Sequence, residues 1–166
     1  MAGQTLSLRR GILAVCCGGF MGTLVRYSLS LSIQGWLGKS WPYDILAINL
    51  SGALLLALIS TLADKALLIG PTRRLLINTG FMGAYTTFSS LALGDLLLLS
   101  KGQLLPALLY LVVSLLGGLG AVLLGDWLGL RLIALLRRSH TAPAITSALA
   151  KAEEISLVDE AESRHR

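Results

Sequence analysis

A chain of 166 residues that is 54% hydrophobic and only 14% charged, with a mean hydropathy of +0.73, is too apolar for a soluble globular domain. What remains is a small integral membrane protein. The formal charge of +5 sits in loops and chain ends, so it reads as a topology signal and implies no nucleic-acid partner.

Four apolar stretches approach the roughly 20 residues that a spanning helix needs, at 11–33, 45–63, 75–100 and 104–128, the last able to run on to residue 136. They predict an all-α membrane protein. One four-helix domain over 10–138 is preceded by a cytoplasmic segment 1–9 and followed by a tail 139–166. The first stretch is too long for a signal-peptide core, and Arg26-Tyr27 stands where a small-residue cleavage site would be expected, so it is read as helix one. Within it Cys16 and Cys17 point in different directions and are read as small lipid- or helix-facing residues. Gly19, Gly22 and Arg26 share a face, and Gly18 with Gly22 forms a small-xxx-small pair that lets another helix approach. An arginine inside a span must pair, snorkel or meet water, so Arg26 is assigned to a vestibule or to backbone carbonyls in preference to direct substrate contact.

The connections are short and punctuated by Gly35, Gly38 and Pro42, by Gly70 and Pro71, and by Gly102 and Pro106, which makes successive helices antiparallel. Helix two carries Asn49 and Gly52, where an uncharged amide can donate to an anion or bridge two helices. Helix three is interrupted by Gly-Ala-Tyr-Thr-Thr-Phe-Ser-Ser at 83–90. A bilayer core has no water for freed backbone groups, so such a break is tolerated only where it is buried in protein or lines a polar cavity. Unwinding is expected around Gly80, Gly83 and the Thr86-Thr87 pair.

Helix four carries Tyr110, Ser114 and Gly118 on one slowly turning stripe, which suits hydrogen bonding between helices or along a polar track. Asp95 and Asp126, toward span ends, are expected to reach headgroups or bulk water. After Arg138 the composition turns polar. A short helix at 145–158 in a partly disordered cytoplasmic tail is expected, with His140 and His165 solvated. Arg9, Arg10, Lys65, Arg73, Arg74, Arg131, Arg137 and Arg138 fall on one side of the membrane and Lys39 and Lys101 on the other, which puts both termini in the cytoplasm.

Taken together, Gly19-Phe-Met-Gly22 with Arg26-Tyr27, Asn49-Leu-Ser-Gly52, Thr79-Gly-Phe-Met-Gly83-Ala-Tyr-Thr-Thr-Phe88-Ser, and Tyr110 with Ser114 resemble the Fluc (CrcB) family of fluoride channels across residues 10–130. The resemblance implies a dual-topology-type dimer of two antiparallel four-helix subunits in a bacterial inner membrane, with two fluoride pores. It also implies a structural, untransported sodium ion held by backbone carbonyls, which maps onto Gly83 and Thr86. The family's pore presents two phenylalanine rings edge-on to the anion. The first maps onto Phe88 and the second falls at Leu91, a departure that keeps the spacing and changes the chemistry. Asn49, Ser89, Ser90, Ser114 and Tyr110 would supply hydrogen bonds along the track, while Gly118 stands where some relatives carry another hydroxyl.

The implied activity is passive export of fluoride by electrodiffusion, driven out by a negative-inside potential worth about 2.3 kcal/mol per 100 mV. No nucleotide motif or nucleophile is required, and no enzymatic activity is expected. A proton-coupled multidrug transporter would need a mid-span carboxylate where helix one has Arg26, and a non-conducting scaffold gives no reason for the 86–90 break. The one-sided charge leaves two partners open for the dimer, a second copy or an oppositely oriented paralogue.

Overall fold

The computed structural model describes residues 8–66 and 70–163, with side-chain surroundings described to residue 136 except at residue 66. The expected segment 1–9 falls outside the described residues except for its last two positions, as does His165. Four helical runs among the described residues are long and apolar enough to cross a membrane: Leu8–Leu37, Tyr43–Lys65, Pro71–Ser100 and Leu104–Leu136. Large apolar side chains such as Phe20, Leu31, Leu96 and Leu116 stand exposed on them, a surface that suits lipid rather than water. This is a multi-pass membrane protein.

Helix α1 (Leu8–Leu37) stops at Gly38, whose φ of 78° is a left-handed conformation that a Cβ disfavours; its amide closes on Gln34 O at 3.0 Å. Helix α2 (Tyr43–Ala66) returns antiparallel. The third span is built in pieces: α3 (Pro71–Arg74), opened by a proline at its first position, a π-helical segment (Leu75–Met82), α4 (Gly83–Tyr85), two extended residues, and α5 (Phe88–Ser100). Gly102, φ 73°, turns the chain into α6 (Leu104–Ser163).

The break is narrower than expected from the sequence. Gly80 lies inside the π-helical segment and Gly83 keeps helical angles of −63° and −30°, so only Thr86 and Thr87 are extended. Gly80 is used for proximity instead of unwinding. A Cβ there would lie 2.7 Å from Val15 O and 3.0 Å from Gly18 Cα, and Cβ atoms on Gly18 and Gly22 would fall onto the carbonyls of Leu76 and Phe81. Backbone therefore meets backbone between α1 and the π-helical segment, the close approach that small residues permit within membranes.

Helix α6 lies against α2 in the same way, Gly125 facing Leu54 O and Gly129 facing Thr61. The two aspartates expected near the span ends are both half-buried. Asp126 accepts a 2.6 Å hydrogen bond from the buried Thr61 hydroxyl, and one oxygen of Asp95 is buried without a hydrogen-bond partner among the described residues. A hydroxyl in an apolar span gains more from a protein acceptor than from leaving both groups unpaired, which ties Asp126 to α2.

The chain divides into units Met1–Leu130 and Arg131–Arg166. The backbone of α6 is helical to Ser163, where a separate helix at 145–158 was expected.

Candidate functional site

The break in the third span is held from α2. Asn49 Nδ2 donates to Thr87 O at 3.0 Å and Asn49 Oδ1 accepts from Thr87 N at 2.8 Å, so one amide satisfies both backbone groups of the residue that leaves the helix. In a continuous helix the Thr87 amide would have bonded to Gly83 O. Turned toward Asn49, it relieves that carbonyl of its helical donor. Gly52, one turn along, provides the room: a Cβ there would fall onto Thr86 Cγ2 and lie 3.1 Å from the Tyr85 ring. Tyr85 is tied to the same helix by a 2.9 Å contact between its hydroxyl and Ser51 Oγ.

The chain restarts at Thr87, whose hydroxyl caps α5 by accepting from Ser90 N at 3.2 Å. The same hydroxyl lies 3.1 Å from Ser89 Oγ and donates to Ser90 Oγ at 3.2 Å. Three hydroxyls thus gather at the positive end of a 13-residue helix, where the dipole and unpaired amides favour negative charge.

Two cavities flank this cluster, Thr87 lining one and Ser90 the other. One, of about 420 Å³, is lined by Asn49, Thr86, Thr87, Phe88, Leu91 and Gly118 among others, and Phe88 beside it is 79% exposed. Phe88 and Leu91 are one helical turn apart on its wall, Leu91 also packing toward Leu98, Ala107 and Tyr110. The other cavity, of about 550 Å³, is lined by Arg26, Ser30, Lys39, Asp44, Ser90 and Lys101 among others. Arg26 Nε is buried there without a hydrogen-bond partner among the described residues. The contact between Thr87 and Ser90 therefore connects the walls of the two cavities.

The remaining residues singled out from the sequence lie around this arrangement. Tyr110 is fully buried, with Trp41 edge-on at 5.3 Å, and its hydroxyl and that of Ser114 are both buried without partners among the described residues. Neither lines the two cavities. Gly22 belongs to the contact with the π-helical segment; Gly19 is less crowded, with Gly80 O 3.9 Å from a built Cβ. Gly83 is exposed, and a Cβ there would meet nothing within 4 Å.

Two features escaped the sequence reading. Thr87 looked like one member of a polar pair, although a threonine three residues before Ser90 at a helix restart is a capping signal. Asp44 was passed over, although Ser30 and Gln34, four residues apart on α1, supply its hydrogen bonds.

A family profile described as "CrcB-like protein, Camphor Resistance (CrcB)" matches residues 13–126. The protein named "Fluoride-specific ion channel FluC" from Chloroflexus aurantiacus is 41% identical over 118 residues, covering 71% of this chain and 94% of that protein. Proteins of the same name from Acidobacterium capsulatum and Synechocystis sp. are 42% identical over 120 residues and 41% over 123, with 96% and 95% of each relative covered. The matched region spans α1 through the first part of α6 and includes both cavities.

Proposed function

The chain belongs to the CrcB-like protein family, and from that premise we propose that it is a fluoride-selective ion channel that exports cytoplasmic fluoride by passive electrodiffusion. The observation that carries this reading is the hydroxyl cluster of Thr87, Ser89 and Ser90 at a helix break whose two sides open into separate cavities. An anion moving between them would leave a vestibule bounded by Arg26 and pass hydroxyl donors at the start of α5. It would then meet the Phe88 ring, whose positive rim can replace part of a hydration shell without trapping the ion. The second N–H of Asn49, beyond the one given to Thr87, would be a further donor. Ser114 and Tyr110 hold buried hydroxyls without partners among the described residues, groups that cost free energy unless something is supplied to bond with them.

Fluoride binds its water more tightly than chloride does, so discrimination requires several short-range donors in place of a lone charge. The test is efflux from proteoliposomes with the voltage set by valinomycin and a potassium gradient. Fluoride should leave much faster than chloride. Equal rates would overturn selectivity, and no fluoride release would favour a non-conducting scaffold.

The reading includes an antiparallel dimer in a bacterial inner membrane. The charge bias puts both termini of this chain in the cytoplasm, so its mate is either an oppositely oriented paralogue or a second copy inserted with both termini outside. A structural sodium ion between the subunits would be held by the backbone carbonyls of Gly83 and Thr86. These residues fit a hard cation: the Thr87 amide is diverted to Asn49, Gly83 is exposed, and a Cβ built on it would meet nothing within 4 Å. Sodium at 100 times its dissociation constant would stabilise the assembly by about 2.7 kcal/mol. For a chain of this size that corresponds to roughly 5–10 °C in melting temperature. Thermal unfolding in sodium and in N-methylglucamine should therefore differ, and Gly83→Val should remove the difference. The same melting temperature in both cations would count against the site.

A further inference from the structure

Arg26 of α1, Lys39 from the turn after α1 and Lys101 from the turn after α5 all line the 550 Å³ cavity, and a single carboxylate, Asp44, lines it with them. Asp44 is 4% exposed. Its Oδ2 accepts hydrogen bonds from the Ser30 hydroxyl and, at 2.7 Å, from Gln34 Nε2, and Gln34 also donates to Ser30 at 3.2 Å. It stands in the first turn of α2, where the helix dipole favours negative charge. Among the described residues none of these three cations forms an ion pair with Asp44, so none neutralises it by direct contact. The carboxylate is held by neutral donors, and its field reaches the cavity.

A sphere of this volume is about 10 Å across, which is about one Debye length in 0.1 M salt. All four charges therefore act on any ion inside, and a cleft with low-dielectric walls concentrates their field. Three cations alone would draw in fluoride, but they would hold sulfate or phosphate more strongly, because the attraction scales with the ion's charge. A retained multivalent anion would block the way to Ser90. One carboxylate subtracts from this attraction, and subtracts twice as much for a dianion as for a monoanion.

We propose that Asp44 is a specificity-determining residue, whose fixed negative charge keeps the cationic vestibule from retaining multivalent anions while it still admits monovalent ones. Its consequence for flux rests on the channel reading above. The field itself exists whether or not the chain conducts.

Ser40 also lines the cavity and is exposed. With Cys16 and Cys17 replaced by serine, a Ser40→Cys variant can be modified by methanethiosulfonates carrying either a sulfonate or a trimethylammonium group. The same thiolate attacks the sulfenyl sulfur of both reagents and expels methanesulfinate, so the ratio of their rates cancels its reactivity and reports the local potential. Asp44→Asn keeps an acceptor for Ser30 and Gln34 while removing the charge. It should raise the anionic-to-cationic rate ratio about tenfold at low ionic strength. The increase should shrink in high salt, and millimolar sulfate should slow the anionic reagent in Asp44→Asn alone. Lys101→Gln, at an exposed position, should move the ratio the opposite way. An unchanged ratio in Asp44→Asn, a change insensitive to salt, or no protection by sulfate would overturn the proposal. Fluoride efflux from the parent protein is a separate arm: its absence would remove the channel reading and leave the labelling result to decide the role of Asp44.

Discussion

Asn49→Asp is expected to abolish fluoride flux and also to loosen the fold, whereas Phe88→Ile should abolish flux alone. The carboxylate can still accept the Thr87 amide, but it has no N–H for Thr87 O and sets a negative charge against that carbonyl in place of a 3.0 Å hydrogen bond. A buried acceptor left unsatisfied costs about 1–3 kcal/mol. The same charge opposes an anion in the adjoining cavity. At 4 Å and an effective dielectric of 20 the repulsion is about 4 kcal/mol, roughly three powers of ten in occupancy. Phe88 is 79% exposed and stands outside the Asn49–Thr87 clamp, so isoleucine removes the aromatic rim and leaves the clamp intact. From the sequence alone both substitutions would be expected to spare the folded protein, and the double hydrogen bond changes that expectation for Asn49. Efflux assays paired with thermal unfolding separate the cases. Wild-type flux in both variants would place the pathway elsewhere, and an unaltered melting temperature in Asn49→Asp would show that the clamp contributes little.

The second large effect concerns two glycines that both fall within α1, Gly35 included although the sequence placed it in the connection after the first span. Gly22→Ala should destabilise the protein and Gly35→Ala should not. Alanine gains about 1 kcal/mol over glycine in a helix interior. At Gly22 that gain is outweighed, because the new Cβ would fall onto the Phe81 carbonyl and lie 3.0 Å from its carbon. Relief requires α1 to move off the π-helical segment, and overpacking of this kind costs about 1–3 kcal/mol or more. At Gly35 a Cβ meets nothing within 4 Å, so only the propensity term remains. Unfolding followed by tryptophan fluorescence in detergent would decide the matter. Equal melting temperatures for the two variants would mean that α1 is free to shift.

The difference between those glycines shows where sequence reasoning stops. Four spans, two left-handed turns and an interruption at 83–90 can be read locally, because the bilayer imposes a length of apolar residues and penalises every unsatisfied backbone group. The hydroxyl, glycine and aromatic residues of the interruption had no apolar explanation, so the site's location was legible too. The family motifs pointed to Asn49, Phe88 and Ser90 without their geometry.

The chain by itself thus determined an all-α membrane protein with a broken third helix and a candidate anion tract at the break. Only the tertiary structure decided that the break is two residues long and that Asn49 holds it 38 positions away along the chain. It also decided that Gly80 serves proximity rather than unwinding, and that Asp44 shares a cavity with three cations. The reason is physical. Apolar length and turn chemistry are properties of a segment, whereas the partner of a polar side chain inside a membrane is whichever group on another helix the backbones bring within about 3 Å.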